Sequence, residues 1–352
     1  MKDAFDPLLL VRDNIRKLTP YSSARSEFNG NAHVFLDANE NAIGSAAGAE
    51  INRYPDPLQA ALKLRIATLK KVGLENIFIG NGSDEPIDLL IRAFCNPGKD
   101  HIIICPPTYG MYEVSADIND VEVKKVMLTP AFKINITRVL EEIDPETKLI
   151  FICSPNNPTG NLMNRADIVL LLKTFAGIVV VDEAYIDFCP SDTLLPLINE
   201  YPNLVILQTF SKAWGMAGLR VGMAFAAEEI IGVLNRIKPP YNISGLAQHV
   251  ALNALDNDGL VKEWVEIIVE ERQRLSTLMQ GYDFIRKVYP SDSNFLLVKV
   301  EDAKTLYSFL LGYGIVVRDR STQPLCTDTL RVTVGTKEEN DFLIETLNKH
   351  KL

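Results

Sequence analysis

Three apolar runs, at residues 149–153, 178–182 and 204–209, are each closed by a polar motif. Ser154-Pro155-Asn156-Asn157-Pro158-Thr159-Gly160 follows the first, Asp182-Glu183-Ala184-Tyr185 ends the second, and Ser211-Lys212 follows the third. The runs are short, rich in Val, Ile and Leu, and bounded by turn residues, a pattern that reads as buried strands. Similar runs at 77–79, 102–104 and 221–226 alternate with amphipathic segments from about residue 45 to 255. That alternation specifies an α/β fold with a mostly parallel sheet covered by helices. In such a sheet ligands bind beyond the carboxyl ends of the strands, so the three motifs should converge on one crevice.

A chain of 352 residues is longer than a single core usually grows, so a second domain is expected. Residues 260–279 keep apolar side chains near helical spacing among many Glu and Arg, the pattern of a long helix leaving the large domain. Beyond it, 293–300, 315–318 and 330–334 read as strands, with helices around 304–311 and 337–348. A small α+β domain is the expected result.

With 45 acidic and 36 basic side chains the net charge is −9, and no basic block stands out, which argues against nucleic acid as a partner. No stretch approaches the length of a membrane span, and Met1-Lys2-Asp3-Ala4-Phe5-Asp6 carries early acids and no long apolar core; neither a membrane nor a targeting segment is expected. The five cysteines, Cys95, Cys105, Cys153, Cys189 and Cys326, are odd in number and lack CxxC spacing, which suits reduced thiols in a cytoplasm. His33, His101, His249 and His350 are scattered without metal-ligand spacing, so no metal site is expected.

The run Thr209-Phe210-Ser211-Lys212-Ala213-Trp214-Gly215-Met216-Ala217-Gly218-Leu219-Arg220 puts a primary amine on a glycine-bearing turn with a guanidinium at its end. A Schiff base to an aldehyde cofactor needs such an amine, its protonated form discouraged by nearby positive charge. A lone lysine near glycines is far more often a solvated surface residue; Asp182 changes the balance. A carboxylate buried at a strand end can hold a pyridine nitrogen protonated and make the ring an electron sink. Pyridoxal phosphate is the cofactor that needs both. Gly80-Asn81-Gly82 before Ser83-Asp84-Glu85 reads as a turn opening a helix, whose free N–H groups suit a phosphate, although Ser or Asp there is also an ordinary N-cap. The Ser211 hydroxyl and the Arg220 guanidinium suit the same phosphate.

On these motifs, with Leu36-Asp37-Ala38-Asn39-Glu40-Asn41, Arg53-Tyr54-Pro55-Asp56-Pro57, Lys238-Pro239-Pro240-Tyr241-Asn242 and Leu330-Arg331-Val332-Thr333-Val334-Gly335, the chain resembles the fold type I pyridoxal-phosphate aminotransferases. Within them it resembles the histidinol-phosphate aminotransferase family, over nearly its whole length. The resemblance implies a large cofactor-binding domain at 45–270 and a small domain formed by 271–352 with the N-terminal arm 1–44. It implies that Lys212, Asp182 and Tyr185 carry the chemistry. Ser83, Asp84, Ser211 and Arg220 would hold the cofactor phosphate, joined by Tyr54 from a neighbouring subunit, which makes the working unit a homodimer. Tyr109 would stack on the ring, and Asn157 and Tyr185 would hydrogen-bond its phenolic oxygen, with Asn156 the adjacent competitor. Arg331 would clamp a substrate carboxylate, Arg318 would add a second guanidinium, and Tyr21 would lie near the substrate phosphate. Read without the family, Tyr54 is a turn residue before Pro55, Tyr109 a core aromatic, and Arg331 a solvated strand position.

The implied reaction is histidinol phosphate plus 2-oxoglutarate giving imidazole acetol phosphate plus glutamate, in histidine biosynthesis. Alternatives are an aromatic amino acid aminotransferase or a threonine-phosphate decarboxylase of the same family, and a non-catalytic pyridoxal-phosphate-binding protein. The last sits badly with Asp182, Tyr185, Lys212 and Arg220 all being present. A dehydrogenase is disfavoured because Gly80-Asn81-Gly82 lacks the third glycine of a dinucleotide fingerprint.

Overall fold

Alternation decides which layer each side chain of the central sheet serves. The computed structural model describes residues 5–22, 33–48 and 51–350. Its large sheet comprises β1 (Ile77–Asn81), β2 (His101–Ile104), β3 (Glu122–Lys125), β4 (Thr147–Cys153), β5 (Ile178–Asp182), β6 (Leu204–Thr209) and β7 (Val221–Phe225), in the order β1-β7-β6-β5-β4-β2-β3. Ile150, Ile152, Val179, Val181, Leu204 and Ile206 enter the core on one face, while Leu149, Phe151, Ile178, Val180, Val205 and Leu207 enter the core on the other. Helices cover both faces, so the strands are apolar on both sides and carry no period-two polarity. Asp84–Phe94, Met111–Ile118 and Glu228–Ile237 pack on the Phe151 face, and Ala60–Lys70, Arg165–Thr174 and Gly245–Ala254 on the Ile150 face.

Strands β2 to β6 pair in parallel, and β7 runs against both its neighbours, β6 and β1. β3, which no apolar run announces, is the edge strand Glu122-Val123-Lys124-Lys125 and is only half covered. Charged side chains on an edge discourage pairing with other chains, which is why this strand looks unlike the rest.

The helix Asp258–Met279 joins the two cores: Val261 belongs to the large one, Leu275 and Met279 to the small one. The small domain is an antiparallel sheet of β8 (Ile285–Val288), β9 (Phe295–Val300), β10 (Arg318–Asp319) and β11 (Thr329–Thr333), in the order β10-β11-β9-β8. Helices Ala303–Gly312 and Lys337–Leu347 pack on it, the second opened by a capping box between Thr336 and Glu339. The run at 315–318 pairs only from Arg318 on, so the expected strand there is two residues long.

The start of the N-terminal arm packs otherwise than expected. Val11 and Ile15 enter the core of the large domain, and the Arg12 N–H donates to the Ala93 carbonyl at 3.0 Å. Residues 7–16 therefore pack on the outer helices of the large sheet and not on the small domain. Among the described residues no helix is long and apolar enough to cross a membrane, and no group of three His, Cys, Asp or Glu is arranged to hold a metal ion.

Candidate active site

The carboxyl ends of β4, β5 and β6 open into one cleft of about 340 Å³, and the three motifs meet there. Asp182 sits at the end of β5, buried, opposite Cys153 of β4. Its Oδ1 accepts from the Ala184 N–H at 3.0 Å and its Oδ2 from the Tyr112 hydroxyl at 2.7 Å. Burial pushes its pKa up to about 6, against the pull of those two hydrogen bonds. Tyr112, itself fully buried and stacked on Phe151 at 4.8 Å, was not singled out by the sequence. Nothing local marks it, since its partner lies far along the chain.

Lys212 follows β6 and stands in the same cleft, its Nζ 5.4 Å from the centre of the Tyr185 ring. The side chain reaches solvent through the cleft, yet enough atoms surround the amine that desolvation is the first cause lowering its pKa. The guanidiniums of Arg331 and Arg220 lower it further, and Asp182 opposes them. Tyr185 is buried against Phe295, and burial raises its hydroxyl pKa. The turn that carries Tyr185 is anchored by Glu183, whose buried carboxylate accepts from the Leu194 N–H, Thr193 Oγ1 and Gln208 Nε2.

The other wall is the turn before the helix Asp84–Phe94. Gly82 has φ +69, and a Cβ added at Gly222 would lie 2.4 Å from the Gly82 carbonyl carbon and the Ser83 nitrogen. Only glycines allow β7 to press this closely on the turn. Arg220, in the left-handed region at φ 55, points its guanidinium at Asp84 Oδ2 (3.3 Å) and Ser211 Oγ (3.5 Å). The Tyr109 hydroxyl donates to Asp84 Oδ1 at 3.0 Å, and Ser83, at the N-cap, spends no side-chain bond on the helix. Ser83, Asp84, Tyr109, Ser211 and Arg220 thus share one end of the cleft, with first-turn N–H groups beside them.

Asn157 lines the cleft, while Asn156 is buried beneath it, tying the Pro107 carbonyl and Thr159 Oγ1 into the loop. Asn157 Oδ1 accepts from Arg331 Nη1 at 2.5 Å, and the Arg331 guanidinium lies 5.2 Å from the Phe295 ring. Arg318 and a third guanidinium, Arg320, complete the small-domain wall. Arg320 was missed by the sequence reading; its spacing of two from Arg318 was the available signal.

Two of the named residues lie outside this chain's cleft. Tyr21, expected near the substrate phosphate, is exposed and outside the cleft, because the short helix Asp13–Arg16 before it docks on the outer layer of the large domain. Tyr54 is also outside its own chain's cleft: it stacks on Tyr241 at 4.5 Å beside a groove of about 960 Å³. Lys238 holds that region together, its buried Nζ donating to the carbonyls of Pro57, Pro239 and Pro240.

The model of the family described as aminotransferase class I and II matches residues 24–347. The chain belongs to the class I and II aminotransferases. It is 53% identical over 347 residues to a histidinol-phosphate aminotransferase of Cytophaga hutchinsonii, covering 99% of this chain and 100% of that one. A relative of the same name from Parabacteroides distasonis is 53% identical over 352 residues, covering 100% of both chains. Among solved structures, the histidinol-phosphate aminotransferase of Clostridium acetobutylicum superposes with a TM-score of 0.79 at 28% identity, over 85% of this chain and 90% of that one. The enzyme of that name from Sinorhizobium meliloti, in complex with pyridoxal-5'-phosphate, has the same fold, with a TM-score of 0.79 at 23% identity over 89% of each chain. Pyridoxal phosphate is the cofactor of this family of aminotransferases. The donor set suits it: a turn with free N–H groups and a guanidinium for a phosphate, a buried carboxylate for a pyridine nitrogen, and an amine between them for an aldehyde.

Proposed function

We propose that the chain transfers the amino group of histidinol phosphate to 2-oxoglutarate, as a cytoplasmic homodimer in histidine biosynthesis. The observation that carries the reading is the cleft: an amine, a buried carboxylate and an arginine cluster in one cavity of a chain half identical, end to end, to histidinol-phosphate aminotransferases. Lys212 would hold the cofactor's aldehyde, Asp182 its ring nitrogen, and Asn157 with Tyr185 its phenolic oxygen. Tyr109 would cover its face, and Ser83, Asp84, Ser211 and Arg220 would hold its phosphate, Asp84 mainly by aligning Arg220 and Tyr109. When bound, pyridoxal phosphate supplies an electron sink for charge developing at the donor's reacting carbon.

Lys212 Nζ is the group that takes the proton from that carbon, and its lowered pKa increases the neutral fraction available to do so. Arg318 and Arg331 bind the anionic end of each substrate in turn, glutamate's carboxylates or the donor's phosphate. The homodimer is supported by the exposed apolar side chains of Ile51, Tyr54 and Leu246 around the groove beside Tyr241. Five unpaired cysteines support a reducing compartment.

The test is an amino-donor panel on purified, cofactor-loaded protein, comparing histidinol phosphate, phenylalanine, tyrosine and threonine phosphate, with sedimentation run alongside. Histidinol phosphate should give the highest kcat/KM, on a dimer. Preference for an aromatic amino acid, or carbon dioxide release from threonine phosphate, replaces the reading with the corresponding alternative.

A further inference from the structure

Arg318 and Arg320 are two residues apart on an extended segment and so face the same side, and Arg318 pairs directly across β10 and β11 with Arg331. Three guanidiniums therefore meet in one wall of the cleft. The groups that bear most strongly on Arg320 are Arg331 and Arg318, which repel it, and Tyr185 and Cys326, which are neutral at pH 7. Arg320 and Arg331 each keep a buried Nε with no hydrogen-bond partner among the described residues. The guanidinium at the opposite end, Arg220, is by contrast engaged by Asp84. Buried donors without acceptors are costly, and converging like charges repel; an entering oxyanion relieves both.

We propose that Arg320 is a specificity-determining residue that, with Arg318 and Arg331, forms a receptor for the phosphate monoester of the amino donor. The proposal rests on the transaminase reading of the same cleft. A phosphate monoester carries a charge near −2 at pH 7, against −1 for a carboxylate. Two guanidiniums suffice to pair a carboxylate. Glutamate's two carboxylates sit at separate points and leave the third guanidinium without an oxyanion of its own, whereas a phosphate gathers its charge and its oxygens at one point that three guanidiniums can share, so Arg320 favours the phosphate.

The experiment uses the cofactor-loaded protein, its Arg320→Gln and Arg320→Lys variants, and two readouts. The first is kcat and KM, measured separately with histidinol phosphate, unphosphorylated histidinol and glutamate. The second is the dissociation constant of inorganic phosphate, by calorimetry. Arg320→Gln should raise KM for histidinol phosphate by roughly tenfold or more, with a much smaller change in kcat, and weaken phosphate binding by a similar factor. Glutamate should lose only about a few-fold and histidinol least; Arg320→Lys, which keeps the charge, should recover part of the loss. The wild-type advantage should shrink as pH falls through about 6, where the monoester takes up its second proton. Equal losses on all three substrates would mean a structural role and overturn the proposal, as would an unchanged phosphate dissociation constant. If the wild type ignores histidinol phosphate, the functional reading fails, while the phosphate titration still decides the role of Arg320.

Discussion

At the large-domain end of the cleft the two carboxylates are already partnered: Asp182 accepts from Tyr112 and Ala184, and Asp84 from Arg220 and Tyr109. At the small-domain end Arg320 and Arg331 keep buried donors with no acceptor among the described residues. The two ends also differ in support. Asp182 ends a fully buried central strand, whereas Arg318 and Arg320 hang on a two-residue strand at a sheet edge. A group that stays through many turnovers is best held by a finished, rigid frame, in which little reorganisation is left to do. Substrates that alternate need donors whose partners arrive and leave.

The sharpest break of that comparison is Lys212→Ala. If Lys212 is the amine that carries the cofactor and moves the proton, turnover should fall by on the order of 10³-fold or more. Binding of inorganic phosphate at the arginine wall should change by only about a few-fold, because the removed charge is flanked by three others. Borohydride reduction of the wild type followed by peptide mapping should label Lys212. A label on another lysine would remove this residue from the mechanism.

Asp182→Asn should move activity and stability in opposite directions. In the cofactor-free protein, burial raises the Asp182 pKa from 3.8 to about 6. A raised carboxyl pKa means the folded state binds the proton more tightly than the unfolded chain. Its contribution to stability is therefore full below about pH 4 and is lost as pH climbs through about 6, by about 3 kcal/mol. A neutral amide has nothing to lose, so urea unfolding of the cofactor-free variant at pH 7.5 should show greater stability than the wild type, the gap closing near pH 4. The same amide cannot keep a pyridine nitrogen protonated, and transamination should drop about a hundredfold or more. A variant that is fully active, or less stable than the wild type at pH 7.5, would show that Asp182 is held by something other than the balance described.

How much of this was readable from residues alone follows the same division. The strands that end in motifs were visible because both their faces are buried and their side chains are uniformly apolar, as in Ile178-Val179-Val180-Val181. β3 was not, because a polar edge strand looks like a loop. The reversed direction of β7 was hidden too, since nothing in Val221-Gly222-Met223-Ala224-Phe225 records which way its neighbours run. Asp182, Lys212 and Arg220 carry their chemistry in local motifs. Tyr112 and Arg320 do not: Tyr112 matters through a contact 70 residues away, and Arg320 through the pairing of Arg318 with Arg331. Where residues 7–16 dock was not readable, because Val11 and Ile15 declare only that they are apolar, not which core receives them.

The smallest effect separates the two kinds of arginine within the unfinished end. Arg331 is held from two sides, by Asn157 Oδ1 at 2.5 Å and by the Phe295 ring, and it bears on the Lys212 amine. It is thus nearer the finished frame than Arg320, on which the strongest charges that bear are the like charges of Arg331 and Arg318. A residue placed there should touch both the carboxylate of glutamate and the anionic end of the amino donor, with no preference between them. Losing one charge-assisted contact costs about 2 kcal/mol, which corresponds to a loss of roughly thirtyfold in kcat/KM. Arg331→Ala should therefore weaken both half-reactions by similar factors, measured as separate single-turnover rates with histidinol phosphate and with glutamate. Arg331→Lys should recover little, because an ammonium cannot reproduce the planar fork that meets Asn157 on one edge and an oxyanion on the other. If the losses are instead lopsided toward histidinol phosphate, Arg331 and Arg320 act alike and the distinction between the two arginines collapses. If neither half-reaction slows, Arg331 is a strand residue that happens to face the cleft, and the clamp belongs to Arg318 and Arg320 alone.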